Sequence, residues 1–279
     1  MSVSRMEQEN ATSRYYIRSV QRALRLLKSF SPEEPEVSLT ELSKRLGLNI
    51  SSTFRLLVTL QSQGYVEQIG ENGKYRLGVA SLELGSVFLS QVGIRQTSTP
   101  VLEALRQQFG ETVHLSTLDR NTMEVIYLEK LEGLLPIIFM SSRVGGRAPA
   151  YCTGVGKALL AHEDPADLRR FYFENGLSRY TPDTITDVDQ LLAELAEIRQ
   201  LGFAVDEEEH EIGVKCVAAP IWNHETRVIA AISVSGPVNR MNTNVERNGL
   251  IEKVIDGAGK ISANLGASRF PHASESIGG

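Results

Sequence analysis

A Gly-rich turn, an acidic run and a pair of serines are the places in this 279-residue chain where side-chain type and spacing could do chemistry. Thr153-Gly154-Val155-Gly156-Lys157-Ala158 is half of a phosphate loop. A complete one needs a Gly separated by four residues from the Gly-Lys pair and a Ser or Thr after it, and here Tyr151 and Ala158 stand in those places, which speaks against nucleotide hydrolysis. Two readings stay open. Small residues at a helix start leave backbone N–H groups that could hold a carboxylate, or the stretch is a glycine turn packed close to a sheet.

Asp206-Glu207-Glu208-Glu209-His210-Glu211 reads first as a solvated acidic face, with a metal or acid/base site as the alternative. A zinc site from Cys152, Cys216, His114 and His210 can be imagined, but their spacing fits no known ligand pattern. Ser233 and Ser235 lie in Ala-Ala-Ile-Ser-Val-Ser-Gly, on one face of a strand. The flanking residues are wrong for the sharp elbow that presents a nucleophilic serine. The two hydroxyls are better read as hydrogen-bonding groups lining a pocket, or as edge groups without a role. An enzyme using Asp206, His210 or Ser233, and a zinc-dependent sensor, are the rival readings from other classes.

A fourth stretch, Ser38 to Gly78, points to nucleic acid. Ser38 with Glu41 makes a capping box, Leu39, Leu42 and Leu46 share one face, and Gly47 ends the helix. A second helix opens at Asn49; Thr53, Leu56, Leu57 and Leu60 form its core face, and Ser51, Arg55, Thr59 and Ser62, with Ser52 beside them, lie opposite. Two short helices joined by a tight Gly turn, the second showing small polar groups and an Arg, are the helix-turn-helix that reads the major groove. Phe54 and Val58 either pack on the neighbouring elements, or Phe54 touches a thymine methyl. Asn72-Gly73 between alternating segments predicts a hairpin with Lys74 and Arg76 outside and Tyr75 and Leu77 inside. That hairpin is a wing.

Net charge is −5, which taken whole argues against a nucleic-acid partner. Its distribution reverses the argument. Residues 1–80 hold 11 Lys and Arg against 8 Asp and Glu, a net of +3, and the remainder holds 18 against 26, a net of −8. Two cysteines without CxxC spacing suit a reducing compartment. The first residues lack an apolar targeting core and no apolar run reaches the ~20 residues that cross a bilayer, so a soluble, cytoplasmic protein without a membrane partner is expected.

The remaining elements must position these groups. Ile17, Val20, Leu24 and Leu27 space the inward face of a first helix. Arg14, Arg18, Arg22, Arg25 and Lys28 make its cationic side, which beside a helix-turn-helix reads as a stripe for phosphate contacts. Val79 to Val92 is apolar nearly all round, so it should be buried against another chain or both domains, as a dimerising linker. A helix from Thr99-Pro100 to Phe109 follows. Strands are predicted at Thr112 to Leu118, Met123 to Lys130, Pro136 to Met140, Val214 to Trp222 and Arg227 to Ser235. Helices are predicted at Gly154 to Ala161, Asp164 to Phe173, Asp187 to Leu201 and Val245 to Leu265. Neighbouring strand pairs with helices between them predict α+β, with helices on an antiparallel sheet.

Ser19-Val20-Gln21-Arg22-Ala23-Leu24-Arg25-Leu26-Leu27, Ser51-Ser52-Thr53-Phe54-Arg55-Leu56-Leu57, Gly73-Lys74-Tyr75-Arg76-Leu77-Gly78, Glu111-Thr112-Val113-His114-Leu115, Gly154 to Ala161 and Cys216-Val217-Ala218-Ala219-Pro220 together resemble the IclR-type transcriptional regulators. The resemblance implies an N-terminal winged helix-turn-helix joined by a helix to a GAF-like effector domain. It implies an arm at 1–14, a DNA-binding domain at 15–78, a linker helix at 79–95, an effector domain at 96–269 and a tail at 270–279. The implied function is a ligand-responsive regulator, a repressor of a catabolic operon, acting as a homodimer or homotetramer on a palindromic operator in double-stranded DNA. No catalysis, cofactor or metal is implied. Arg18, Arg22, Thr40, Ser51, Ser52, Phe54, Arg55, Thr59, Lys74 and Arg76 would meet DNA. A small organic acid would bind at Gly154, Val155, Asp206, Cys216, Ser233 and Ser235. Ser51-Ser52 stands where Ser-Thr is commoner in the family, and Thr53 where Val or Ile often stands, which bears on the operator sequence and not on the mode of binding.

Overall fold

The computed structural model describes residues 16–70, 73–91, 93–134 and 142–267, and the chain divides between Gln91 and Val92 into two compact units. The first holds α1 (Arg18–Leu27), α2 (Leu39–Leu46), α3 (Ile50–Ser62), β1 (Val66–Gln68), β2 (Tyr75–Leu77) and α4 (Val79–Gln91). Ser38 Oγ accepts from the Glu41 N–H at 3.2 Å, but the Glu41 carboxylate turns to Arg45 Nε at 3.0 Å, so only half of the capping box forms. Gly47, at φ 64, ends α2 in the left-handed conformation that a residue with a Cβ resists. Asn49 Oδ1 then caps α3 by accepting from the Ser52 N–H at 2.8 Å. Leu26, Val37, Leu42, Leu46, Leu57, Leu60, Val66 and Tyr75 form the core, and Val37 bridges Tyr75 to widen the hairpin.

Three expectations for this unit change. Ile17, Val20 and Leu24 are exposed by 67%, 52% and 54%, and α1 packs instead through Ala23, Leu26 and Leu27. Two apolar stripes overlap on this helix, and the inward one continues into Phe30, which extends its contact with the core. Leu77 is 42% exposed where the wing pattern placed it inside, although its cross-strand partner Val66 is buried in the core. Phe54 and Val58 are each 47% exposed, so packing on neighbouring elements does not account for them. On α4, Val79, Leu82 and Leu84 are exposed. The hairpin tip at 71–72 lies outside the described residues.

The second unit is one antiparallel sheet clothed on both faces. Its strands are β3 (Thr112–Asp119), β4 (Glu124–Leu131), β5 (Arg147–Pro149), β6 (Ala204–Glu207), β7 (Val214–Trp222) and β8 (Val228–Pro237). Among the described residues they lie in the order β5-β4-β3-β8-β7-β6. On one face α5 (Ile94–Phe109) and α10 (Leu250–Asn264) pack against Val113, Leu115, Val217, Ile232 and Val234. On the other, α6 (Gly154–Leu160), α7 (Pro165–Asn175) and α8 (Val188–Leu201) close over Val125, Ala218 and Ala231. α9 (Val238–Asn248) follows β8 directly and contributes Met241 to the α5/α10 side.

The α5 helix begins at Ile94 and carries Pro100 in its interior, not at its start as the sequence suggested. Ile94, Leu102, Leu105 and Phe109 make one continuous buried face, and that packing outweighs the hydrogen bond lost at the proline. The single last helix expected from Val245 is two helices, broken at Gly249 with φ 62. Both β5 and β6 were missed as strands, and the strand expected at Pro136 to Met140 lies outside the described residues.

Candidate functional site

The period of two along a strand sorts β3 and β8 by chemistry. Val113 and Leu115 of β3, with Ile232 and Val234 of β8, belong to the core on the α5/α10 side, while His114, Ser233 and Ser235 line a cavity on the opposite side. Register then carries the polar row across the sheet. His114 pairs with Ser233, Ser235 with Cys216, and Cys216 with Asp206. The cavity, of about 180 Å³, is lined by all six of Gly154, Val155, Asp206, Cys216, Ser233 and Ser235. The structure brings together six residues that the sequence scatters over eighty positions.

Gly154 opens α6 above this row, where a Cβ would stand 3.1 Å from Cys216 Cβ. Thr153 does not cap the helix with its side chain; its Oγ1 donates to the Pro149 carbonyl at 3.0 Å. Asp206 Oδ1 accepts the Glu209 N–H at 2.8 Å. Burial, reinforced by the Glu209 carboxylate, pushes the Asp206 carboxyl up to about 7. Burial and the Asp206 carboxylate also push the Cys216 thiol up, so Cys216 is a poor nucleophile at neutral pH.

Behind the cavity stands a buried ionic cluster. Lys157, fully buried on α6, donates to Glu194 of α8 at 2.5 Å and to Glu209. Burial works against its charge, but the Glu209 and Glu194 carboxylates outweigh that and raise its pKa. Glu209 thereby ties the cavity to α6 through Lys157, to Asp206 through its N–H, and to Thr184 Oγ1 through its carbonyl at 2.6 Å. The solvated reading of the acidic run is therefore corrected at Asp206 and Glu209, which are buried.

Sequence reasoning missed His114, Tyr127, Ser142 and His210 as cavity residues. The local signal for His114 was its place opposite the valine and leucine of a two-faced strand, but only pairing to β8 shows what it faces. Ser233 Oγ lies 3.4 Å from His114 Nδ1, yet His114 Nε2 is taken by Ser142 Oγ at 2.9 Å, where a catalytic triad needs a carboxylate. Cys152 is packed in the apolar core, away from a shared ligand set with Cys216. Among the described residues no three His, Cys, Asp or Glu side chains gather closely enough to hold a metal ion.

In the first unit α3 turns Thr53, Leu57 and Leu60 inward and leaves Ser51, Phe54, Arg55, Val58 and Thr59 exposed, with Ser52 half-buried. Thr59 Oγ1 donates to the Arg55 carbonyl at 2.8 Å. Arg18, Arg22 and Thr40 are exposed on α1 and α2, as is Lys74 at the wing. Arg76 is also exposed but is held across the hairpin by Glu67 at 2.5 Å.

The family described as IclR helix-turn-helix domain matches residues 19–70, and the bacterial transcriptional regulator IclR C-terminal family matches residues 86–263. The chain belongs to the IclR family. It is a DNA-binding transcriptional regulator and not an enzyme. Among IclR-family relatives, the HTH-type transcriptional regulator XynR of Escherichia coli K12 is 42% identical over 226 residues, covering 81% of this chain and 88% of XynR. The transcriptional repressor IclR of the same organism is 36% identical over 225 residues, covering 81% and 82%. A crystal structure of an IclR homologue from Microbacterium hydrocarbonoxydans, complexed with 4-hydroxybenzoate, superposes with a TM-score of 0.77 at 29% identity, covering 88% of this chain and 98% of that one. The winged front and the sheet-and-helix back are the IclR architecture. No described helix is long and apolar enough to cross a membrane.

Proposed function

We propose that this IclR-family chain is a cytoplasmic repressor of a catabolic operon, binding a palindromic operator as a homodimer or homotetramer, and that a small organic acid in the β-sheet cavity controls that binding. The observation that carries the reading is the buried polar cavity itself, with Asp206, Cys216, Ser233 and Ser235 on its floor and Gly154 and Val155 above. The repressor name of an E. coli relative and the acid held by a structural neighbour support it. The missing side chain at Gly154 leaves room for a carboxylate near the start of α6, and the exposed apolar residues of α1 and α4 suit burial by a second chain. In this reading Arg55, Ser51, Ser52, Phe54 and Thr59 face the major groove, Thr40, Arg18 and Arg22 meet phosphates, and Lys74 and Arg76 follow the wing along the backbone.

Fluorescence anisotropy on duplexes from the promoter regions next to its gene tests the DNA half of this proposal. Arg55→Ala should weaken specific binding by about 1–3 kcal/mol, roughly 5- to 150-fold, at unchanged non-specific affinity. Lys74→Ala should weaken both and lower the salt slope by about 1. Equal losses on specific and random DNA for Arg55→Ala would assign that side chain to phosphate. Binding no tighter than to random DNA, with and without acids, would overturn the proposal.

A further inference from the structure

Helix α3 carries a single charged residue, Arg55, and the row that faces away from its core side has little else to hydrogen-bond with. Ser52 is half-buried. The Oγ1 of Thr59 and the Oγ of Ser62 donate to carbonyls of the helix itself, at 2.8 and 2.7 Å. Arg55 and Ser51 remain as the donors of that row, which is a thin basis for choosing one DNA sequence among many.

The same helix gives more of its open surface to apolar groups. Ile50, Phe54 and Val58 recur every four residues and are 53%, 47% and 47% exposed. Single apolar side chains on a surface are ordinary. Three in one line are not, on a helix that already buries Thr53, Leu57 and Leu60. The line is also inseparable from the polar row. At about 100° per residue, Val58 projects about 20° from Ser51 and about 60° from Arg55, and Phe54 about 60° from Ser51. No placement of α3 that brings Ser51 and Arg55 to a surface keeps Val58 and Phe54 away from it. Arg18, Arg22 and Lys74 are exposed in the same unit, so that surface is a polyanion and not an apolar protein partner.

In the major groove the base edges offer an apolar side chain one partner, the C5 methyl group of thymine. Against any other edge Phe54 or Val58 would displace water from a donor or acceptor without replacing its hydrogen bond, which is unfavourable. The two side chains stand about 6 Å apart along the helix axis, and with a base step of about 3.4 Å they cover about two successive base pairs. We infer that Phe54 and Val58 determine specificity by reading thymine methyl groups, so that each half of the operator carries thymines at adjoining positions next to the base pair that Arg55 contacts. This rests on α3 being the reading helix of an operator-binding protein. It adds that the sequence is chosen in part by apolar contact and not by hydrogen bonds alone.

Fluorescence anisotropy with the full chain tests this on the promoter-region duplex next to its gene, prepared once with thymine and once with uracil at every thymine position. Uracil pairs as thymine does and lacks only the C5 methyl. Each methyl covered is worth roughly fourfold in affinity, and a two-fold operator presents several. The uracil promoter should therefore bind at least about tenfold more weakly than the thymine one, while a random duplex loses less than about twofold, because phosphate contacts dominate there. Phe54→Ala combined with Val58→Ala should bring the two promoters within about threefold of each other, whereas Phe54→Leu, which keeps an apolar side chain, should retain most of the ratio. Any effect of uracil on duplex shape persists in the double variant, so collapse of the ratio there isolates the methyl contact. Unchanged affinity for random DNA and an unchanged circular dichroism melt establish that the variants are folded, and the wild-type ratio stands whether or not they are. Equal wild-type affinity for the two promoters would overturn methyl reading and leave operator binding intact. A full ratio in the folded double variant would overturn the assignment to Phe54 and Val58. No preference for the thymine promoter over random DNA would overturn operator binding, and this inference with it.

Discussion

Replacing Asp206 with Asn separates what this carboxyl costs the fold from what it does for the cavity. In the folded chain Asp206 titrates at about 7, against 3.8 for an ordinary Asp. Between those values the native state keeps a proton that the unfolded chain has released, so stability falls as pH rises, by about 1.4 kcal/mol per pH unit. The penalty is negligible below about pH 4, roughly 1.5 kcal/mol at pH 5, and levels off near 4 kcal/mol above pH 7. Asn keeps the oxygen that accepts the Glu209 N–H at 2.8 Å and removes the charge, though its amide N–H groups need new partners, which offsets part of the gain. Asp206→Asn should therefore be about 2–3 kcal/mol more stable than wild type at pH 8 and no more than about 1 kcal/mol more stable at pH 5. Urea unfolding at both pH values, followed through the fluorescence of Trp222, reads this directly, since Trp222 is the one tryptophan of the chain and sits on β7. A variant no more stable than wild type at pH 8, or a gain that does not shrink on acidification, would refute the electrostatic account. The same variant should lose acid binding, a stability–function trade typical of a site kept for a ligand.

Lys157→Met strands Glu209 without its buried partner and should cost about 3–5 kcal/mol at pH 8. The deficit should narrow at pH 5, because a stranded buried carboxyl takes a proton more readily; an equal deficit at both pH values would contradict the ion-pair reading. Gly156→Ala should lower stability by about 3 kcal/mol, since a Cβ there would stand 2.2 Å from the Ala150 carbonyl oxygen; an unchanged thermal midpoint would show that the turn gives way. Gly154→Ala places a Cβ 3.1 Å from Cys216 Cβ, with Ala218 Cβ and Asp206 Cβ at ordinary contact distances of 3.5 and 3.7 Å, so it should leave the midpoint within a few degrees while weakening acid binding at least about tenfold, and the two readouts together locate the ligand under α6.

Much of the winged unit was legible because its signals are local. A cap at Ser38, a left-handed Gly47, a cap at Asn49 and the Thr53, Leu57, Leu60 spacing each act within one or two helical turns. Where two apolar stripes competed, as on α1, periodicity could not choose, because only the neighbour decides which stripe is covered. Pro100 and Gly249 show the same limit from opposite sides. A proline did not start a helix because a buried face ran past it, and a glycine broke one because the chain there turns left-handed.

The sequence by itself determined the class of the molecule: a basic winged front, an acidic α+β back, strands that alternate, and a set of motifs in family order. It also marked Ser233 and Ser235 as paired hydroxyls on one strand face, and Asp206 and Cys216 as pocket residues through the resemblance. What the tertiary structure alone decided is that these residues share one small cavity with His114 and Ser142, that Asp206 and Glu209 leave the solvent their acidic run seemed made for, and that Lys157 is buried to meet Glu209. The physical reason is range. Caps, turns and periodicity are set by residues a few positions apart, whereas burial, charge regulation and the partner of a strand residue depend on register with segments more than a hundred residues away, as His114 does on Ser233.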